Sequence, residues 1–211
     1  MIGAGDTKAP PMKPGGREEN ASNASQVLSS VQHLRERTQQ MSFRDQLERN
    51  YFVIKRTYAA STRLIESLDA HDPCEAIAEI IGNLIGSEEI AIFRYTAAGE
   101  IFSLQWSCGV AAGTLQQFSS GAGMLGRTVY SAKSQYRDRQ EKNLLLPHEK
   151  NLTACIVLKS GNEVVGAIAL FGLLPQKGAL EWADFELLKF LETYAAVALQ
   201  FYWLQREQVA P

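Results

Sequence analysis

Three groups of residues in this chain have types and spacings that could do chemistry. The first is Gly121-Ala122-Gly123-Met124-Leu125-Gly126, a Gly-x-Gly-x-x-Gly spacing. Glycines so spaced let backbone N–H groups close on a pyrophosphate at a helix N-terminus. That use needs a buried strand immediately before it, and an acid about 20 residues further on. Gln116-Gln117-Phe118-Ser119-Ser120 stands there instead. The spacing therefore predicts a tight turn that starts a short helix. The second group is Cys74, Cys108 and Cys155. An odd, scattered count with no Cys-x-x-Cys is neither a disulfide framework nor a zinc site, and it predicts a reducing cytoplasm. The third is His33, His71 and His148. None stands at metal-ligand spacing from a Cys or an acid, and His148-Glu149 reads as a solvated pair in a loop. No catalytic residue, metal or cofactor is expected.

These residues must be held by the elements around them, and the chain supplies three regions. Residues 1–24 hold four Gly and three Pro, with Ile2 as their one large apolar side chain other than methionine. Such a segment cannot bury enough apolar area to offset its ordering entropy, so a disordered tail is expected. Residues 25–70 lack Gly and Pro altogether and read as helix. Val27, Val31, Leu34, Thr38 and Met41 form one apolar seam; Leu47, Tyr51, Ile54, Tyr58, Ser61, Ile65 and Leu68 form another, out of phase with the first. Ser42-Phe43-Arg44-Asp45 resembles a capping signal, so either a helix break or a skip falls there. The second seam either packs on the domain's own core or serves self-association, and its length and phase favour self-association.

From residue 71 the punctuation is local and clear. Asp72 caps a helix that Pro73 begins and Gly86 ends. Strands are predicted at 89–95 and 100–108, a short helix at 110–118, and a second after the glycine turn. A short strand follows at 135–138. The hairpin strands 152–159 and 163–173 meet at Ser160-Gly161-Asn162, and a helix runs from about Glu181 to Gln208. That last helix carries two apolar seams. Leu188, Leu191, Ala195, Ala198 and Tyr202 form one; Leu187, Phe190, Tyr194, Val197, Phe201 and Leu204 form the other. Two seams exceed the roughly 100° stripe that a helix on a sheet requires, so a second surface must cover the excess.

This element order carries Gly121-Ala122-Gly123-Met124-Leu125-Gly126-Arg127, then Gln135-Tyr136-Arg137-Asp138. Gly161-Asn162-Glu163-Val164-Val165-Gly166-Ala167-Ile168 and Trp182-Ala183-Asp184-Phe185-Glu186-Leu187-Leu188 follow. Over residues 50–205 the chain resembles the GAF domain family. The resemblance implies an α+β fold related to PAS. A central antiparallel sheet would lie between terminal helices on one face and a pocket-side layer of short helices and loops on the other. It also implies ligand sensing, dimerisation through flanking helices, and signalling to other modules. Four divisions follow: a tail at 1–24, a helical extension at 25–46, a GAF-like domain with its dimerisation helices at 47–208, and a tail at 209–211.

Strand parity then nominates the sites. Phe93, Tyr95, Ser103, Gln105, Ser107, Thr153 and Cys155 are the pocket candidates, on the face with small or hydroxyl side chains. That face either leaves room for a ligand or accommodates a close-packed layer, and a bulge would invert it. Tyr51, Ile54, Tyr58, Ile65, Leu191, Ala195, Ala198 and Tyr202 are the candidates for the dimer helices. The motif associated with cyclic nucleotides in some relatives is reduced to Asp184, since Phe171-Gly172 and Leu180 stand at its other positions. Bilin attachment would want a His beside a Cys. The branch that reduces free methionine sulfoxide clusters its cysteines, and the 139–151 loop has none, although Cys108 and Cys155 could meet on the pocket face. The expected function is a non-enzymatic, cytoplasmic, homodimeric regulator that binds a small molecule and signals through a protein partner. A ligand-free adaptor is the alternative, and a sulfoxide reductase a minor one. The near-neutral charge of −2 argues against nucleic acid. No apolar run reaches the ~18–20 residues of a membrane span.

Overall fold

The computed structural model describes residues 16–70, 72–96, 100–110, 113, 115–137 and 145–209, with side chains from Ser42 onward, Ala70 excepted. Two units divide the chain, residues 1–50 and 51–211. Helix α1, Gly16–Ala70, passes from one into the other. In the first unit, residues 42–50 are helical and exposed, with Arg44 pairing Glu48 one turn on at 3.2 Å. The helix starts within the segment expected to be a tail. Residues 1–15 lie outside the described residues. It also runs through Ser42-Phe43-Arg44-Asp45 without a break. A lone Ser inside a helix costs only a few tenths of a kcal/mol, which flanking helix formers outweigh.

The second unit is built on one antiparallel sheet. Its strands are β1 (Ile90–Thr96), β2 (Ile101–Cys108), β3 (Gln117–Ser119), β4 (Gln135–Tyr136), β5 (Ala154–Ser160) and β6 (Glu163–Leu170). The spatial order is β3-β2-β1-β6-β5-β4. Gln117 and Phe118, expected to be helical, pair with β2 instead. Helix α2 (Pro73–Ile80) starts where expected: the Asp72 carboxylate accepts from the Cys74 N–H at 2.9 Å. One π-turn, Ile81–Ile85, prolongs it, and Gly86 ends it at φ 81°. Helix α3 is Gly123–Tyr130, and helix α4 is Trp182–Val209.

Two cores lie on opposite faces of the sheet. Ile92, Ile156, Leu158 and Ile168 face α2, α4 and the Ala60–Leu64 turn of α1. Ala91, Phe93, Cys155, Ala167 and Ala169 face α3 and its loops. Each fully buried Ile or Leu contributes about 2 kcal/mol, so the bulky face is the one that anchors the terminal helices.

Candidate functional site

On the α3 face, where the sequence places the ligand, the described residues pack into an aromatic core. Tyr95 stacks on Phe102 at 4.8 Å, Phe102 stacks on Phe118 at 4.7 Å, and Phe93 meets Phe118 edge-on at 4.9 Å. Met124, Leu125, Val129 and Leu115 close over them. Of the seven pocket candidates, Phe93, Tyr95 and Cys155 belong to this core. Ser107 shares the face through its pairing with Ala91.

The other three lie elsewhere. Ile92 pairs with Trp106, yet the next residue, Phe93, pairs with Leu104. Gln105 is thus an extra residue that shifts parity within β2. Phe102 and Leu104 turn to the α3 face, and Trp106 stays on the helix face. Gln105 lines a small polar cleft with Asp72, Arg94 and Tyr202, and its Nε2 lies 3.3 Å from the Ser103 Oγ. A second bulge, between Leu158 and Lys159, sends Val164 to the α3 face and Val165 to the helix face. Thr153 precedes β5, and its hydroxyl donates to the Phe171 carbonyl.

The glycine turn holds an anion that belongs to the chain. Gly121 and Gly123 adopt φ 91° and 64°, and α3 starts there without a side-chain cap from Ala122. Its free N–H groups are met by Glu149. The two carboxylate oxygens accept from Met124 N at 2.9 Å and Leu125 N at 2.8 Å, and one of them also accepts from Leu146 N at 2.9 Å. Glu149 is fully buried, not solvated as its neighbour His148 suggested. A Cβ on Gly123 would overlap the carboxylate. Sequence reasoning missed this role. The available signal was a helix start lacking any Ser, Thr, Asp or Asn cap, whose orphan donors need an acceptor from elsewhere.

Cys108 and Cys155 do not meet. Strands β2 and β5 are three positions apart, about 14 Å at the usual strand spacing, against a disulfide limit of about 7 Å. Cys108 pairs with Ile90 on the helix face and is exposed, whereas Cys155 is buried on the α3 face. Burial pushes the Cys155 thiol up to about 12 against an opposing Thr128 hydrogen bond, and Glu149 adds to the rise. Burial, followed by Asp72, also raises the Cys74 thiol.

On the terminal helices, one carboxylate joins several segments. Asp184 lies 2.8 Å from Arg56 of α1 and 2.6 Å from Lys177. It also accepts from the Glu181 N–H at 2.7 Å, and Arg56 donates to the Leu84 carbonyl. Burial works to raise the Asp184 carboxyl, but the Glu181 N–H, Lys177 and Arg56 outweigh it and hold it below its ordinary value. Outside this node α1 exposes the predicted seam: Tyr51, Ile54, Tyr58 and Ile65 are each more than 60% exposed. Arg56, Ala60, Leu64 and Ser67 are its buried stripe instead. The α4 candidates need correction. Leu191, Ala195 and Ala198 are buried within the chain's own core, and Tyr202 is half-buried with its hydroxyl on Asp72. The exposed α4 stripe is the neighbouring seam, Tyr194, Val197, Phe201 and Leu204. Between the α1 and α4 stripes runs an apolar groove of about 580 Å³.

A cleft of about 600 Å³ opens where β4 ends near the β6–α4 connection. Tyr136 and Phe185 meet edge-on at 4.9 Å in its wall, and Arg137 and Lys177 line it. Arg137 donates to the Lys150 carbonyl at 2.7 Å. Burial, and secondarily Glu192, push the Tyr136 hydroxyl up; Glu192 is itself held by Lys159 at 3.3 Å.

No family model and no curated protein matches the sequence. Solved structures match its fold. A GAF domain/HD domain protein from Geobacter sulfurreducens matches at TM-score 0.54 and 16% identity, over 67% of this chain and 98% of that one. The GAF domain of a phosphoenolpyruvate-protein phosphotransferase from Coxiella burnetii matches at 0.56 and 10%, over 75% and 97%. The free methionine-R-sulfoxide reductase of Neisseria meningitidis, in complex with its substrate, matches at 0.53 and 12%, over 67% and 86%. The second unit thus has the α+β GAF fold, as the residues that resembled that family implied. No helix among the described residues is long and apolar enough to cross a membrane.

Proposed function

We propose that this GAF-fold protein is a non-enzymatic regulatory module that pairs with a second copy of itself through its terminal helices. It then acts on a signalling partner by protein–protein contact. The observation that carries this reading is the double stripe of exposed large apolar residues on α1 and α4, beside an apolar groove. A monomer rarely leaves such a surface in water. The aromatic core that the described residues pack on the α3 face supports an adaptor over a sensor with its ligand inside the sheet-side layer. The separated cysteines, two of them buried with raised thiol pKa, favour a non-enzymatic role over sulfoxide reduction. Free thiols also suit a reducing compartment such as the cytoplasm.

Native mass spectrometry and sedimentation of the full chain test the pairing. The expected species is a dimer that becomes a monomer in the Ile54→Glu/Val197→Glu double variant, with unchanged far-ultraviolet circular dichroism. A native chain that stays monomeric at tens of micromolar, where a specific dimer is populated, contradicts the reading.

A further inference from the structure

We propose that the cleft beside β4 binds a small aromatic carboxylate. This goes beyond the self-association reading and does not depend on it. The volume, about 600 Å³, lies within the range of about 300–1,000 Å³ typical of small-molecule sites.

Its walls divide into two chemistries. Tyr136 and Phe185, with 37% and 38% of their surfaces exposed, present ring area beside Leu180. The two rings stand at 82° to one another, an apolar corner that offers a planar ring one face and one edge to pack against. Two cations, Arg137 and Lys177, line the same cleft. Lys177 shares the single Asp184 carboxylate with Arg56. The nearby Glu192 is engaged by Lys159. Among the described residues that line the cleft the charged side chains are both cations, beside a partly apolar wall. A guanidinium offers a planar fork that matches a carboxylate in two parallel hydrogen bonds, and Arg137 is fixed at the cleft by donating from one Nη to the Lys150 carbonyl.

Titration of the full-length chain with benzoate, followed by the amide resonances of Gly178 and Ala179, tests the site. Benzamide and inorganic phosphate serve as parallel probes, the one keeping the ring without the charge and the other the charge without the ring. Benzoate is expected to saturate, and to bind about five-fold or more weakly to Arg137→Gln and to Phe185→Ala, as loss of a charge-assisted pair or of ring contact predicts. Benzamide and phosphate are each expected to bind more weakly than benzoate. Three results would overturn the proposal. They are no saturation up to about 10 mM, about ten-fold above a millimolar dissociation constant, unchanged affinity in both variants, or phosphate binding as well as benzoate. The readout is a local chemical shift, so its failure leaves the dimer reading standing.

Discussion

Glu149 carries more of the fold than its position in a loop implies. A fully buried carboxylate accepting three backbone N–H bonds leaves three orphan donors when it is removed. Each buried donor left unpaired costs about 1–3 kcal/mol. Glu149→Ala is therefore expected to lose about 3 kcal/mol, or about 10 °C in Tm for a domain of this size. Gly123→Ala is expected to be as damaging, since it combines φ 64° with a Cβ that overlaps the carboxylate. Thermal melts of both variants beside the native chain check this; a loss under about 1 kcal/mol, the range of a surface substitution, would mean that the cap is dispensable. Cys155 makes a different prediction. With its thiol pKa raised to about 12 and no exposed surface, it stays protonated and shielded at pH 8. Iodoacetamide is expected to label Cys108 in the folded protein and to reach Cys155 only after denaturation, with intact mass as the readout. Rapid labelling of Cys155 in the folded state would reopen a redox role.

At the scale of elements, Asp184 determines how α1 and α4 respond to acid. Its folded pKa lies below the ordinary carboxylate value of about 4. A depressed carboxyl contributes stability above that ordinary value and loses it as pH falls through the folded one. Asp184→Asn leaves the Arg56 and Lys177 cations uncompensated, and breaking a buried pair this way costs about 3–5 kcal/mol at pH 7. The stability gap between native and variant is expected to narrow as pH drops below about 4. Urea midpoints measured between pH 3 and 7 test the sign; a constant gap would show that Asp184 is not the titrating group. Elements were legible from sequence where the signal is local. Asp72-Pro73 fixed a helix start and Ser160-Gly161-Asn162 a hairpin, because caps and turns are decided within four residues. The side assignments failed where one inserted residue shifted the pleat, at Gln105 and at Val165. A bulge leaves no mark in an alternating pattern whose both faces are apolar. The α4 helix posed the same difficulty, since with two adjacent greasy seams its periodicity cannot say which one meets the sheet.

For the whole molecule, the central antiparallel sheet with the terminal helices on one face followed from a resemblance spread over four motifs, and the solved structures share that fold at 10–16% identity. Long-range pairings were not legible. Glu149 caps a helix 24 residues upstream, and Arg56 reaches a carboxylate 128 residues away. Neither spacing is a pattern that a single sequence displays. The Arg56–Asp184 contact also bears on how small the autonomous domain can be. It joins the beginning of the second unit to the helix that closes it, and Arg56 bonds Leu84 at the end of the π-turn between them. A fragment trimmed to the sheet and its short helices would keep every strand and still leave a buried Asp184 without its α1 partner. The shortest piece able to stand alone therefore starts upstream of Arg56, and the last turns of α1 are a structural part of the domain as well as the lead-in to it.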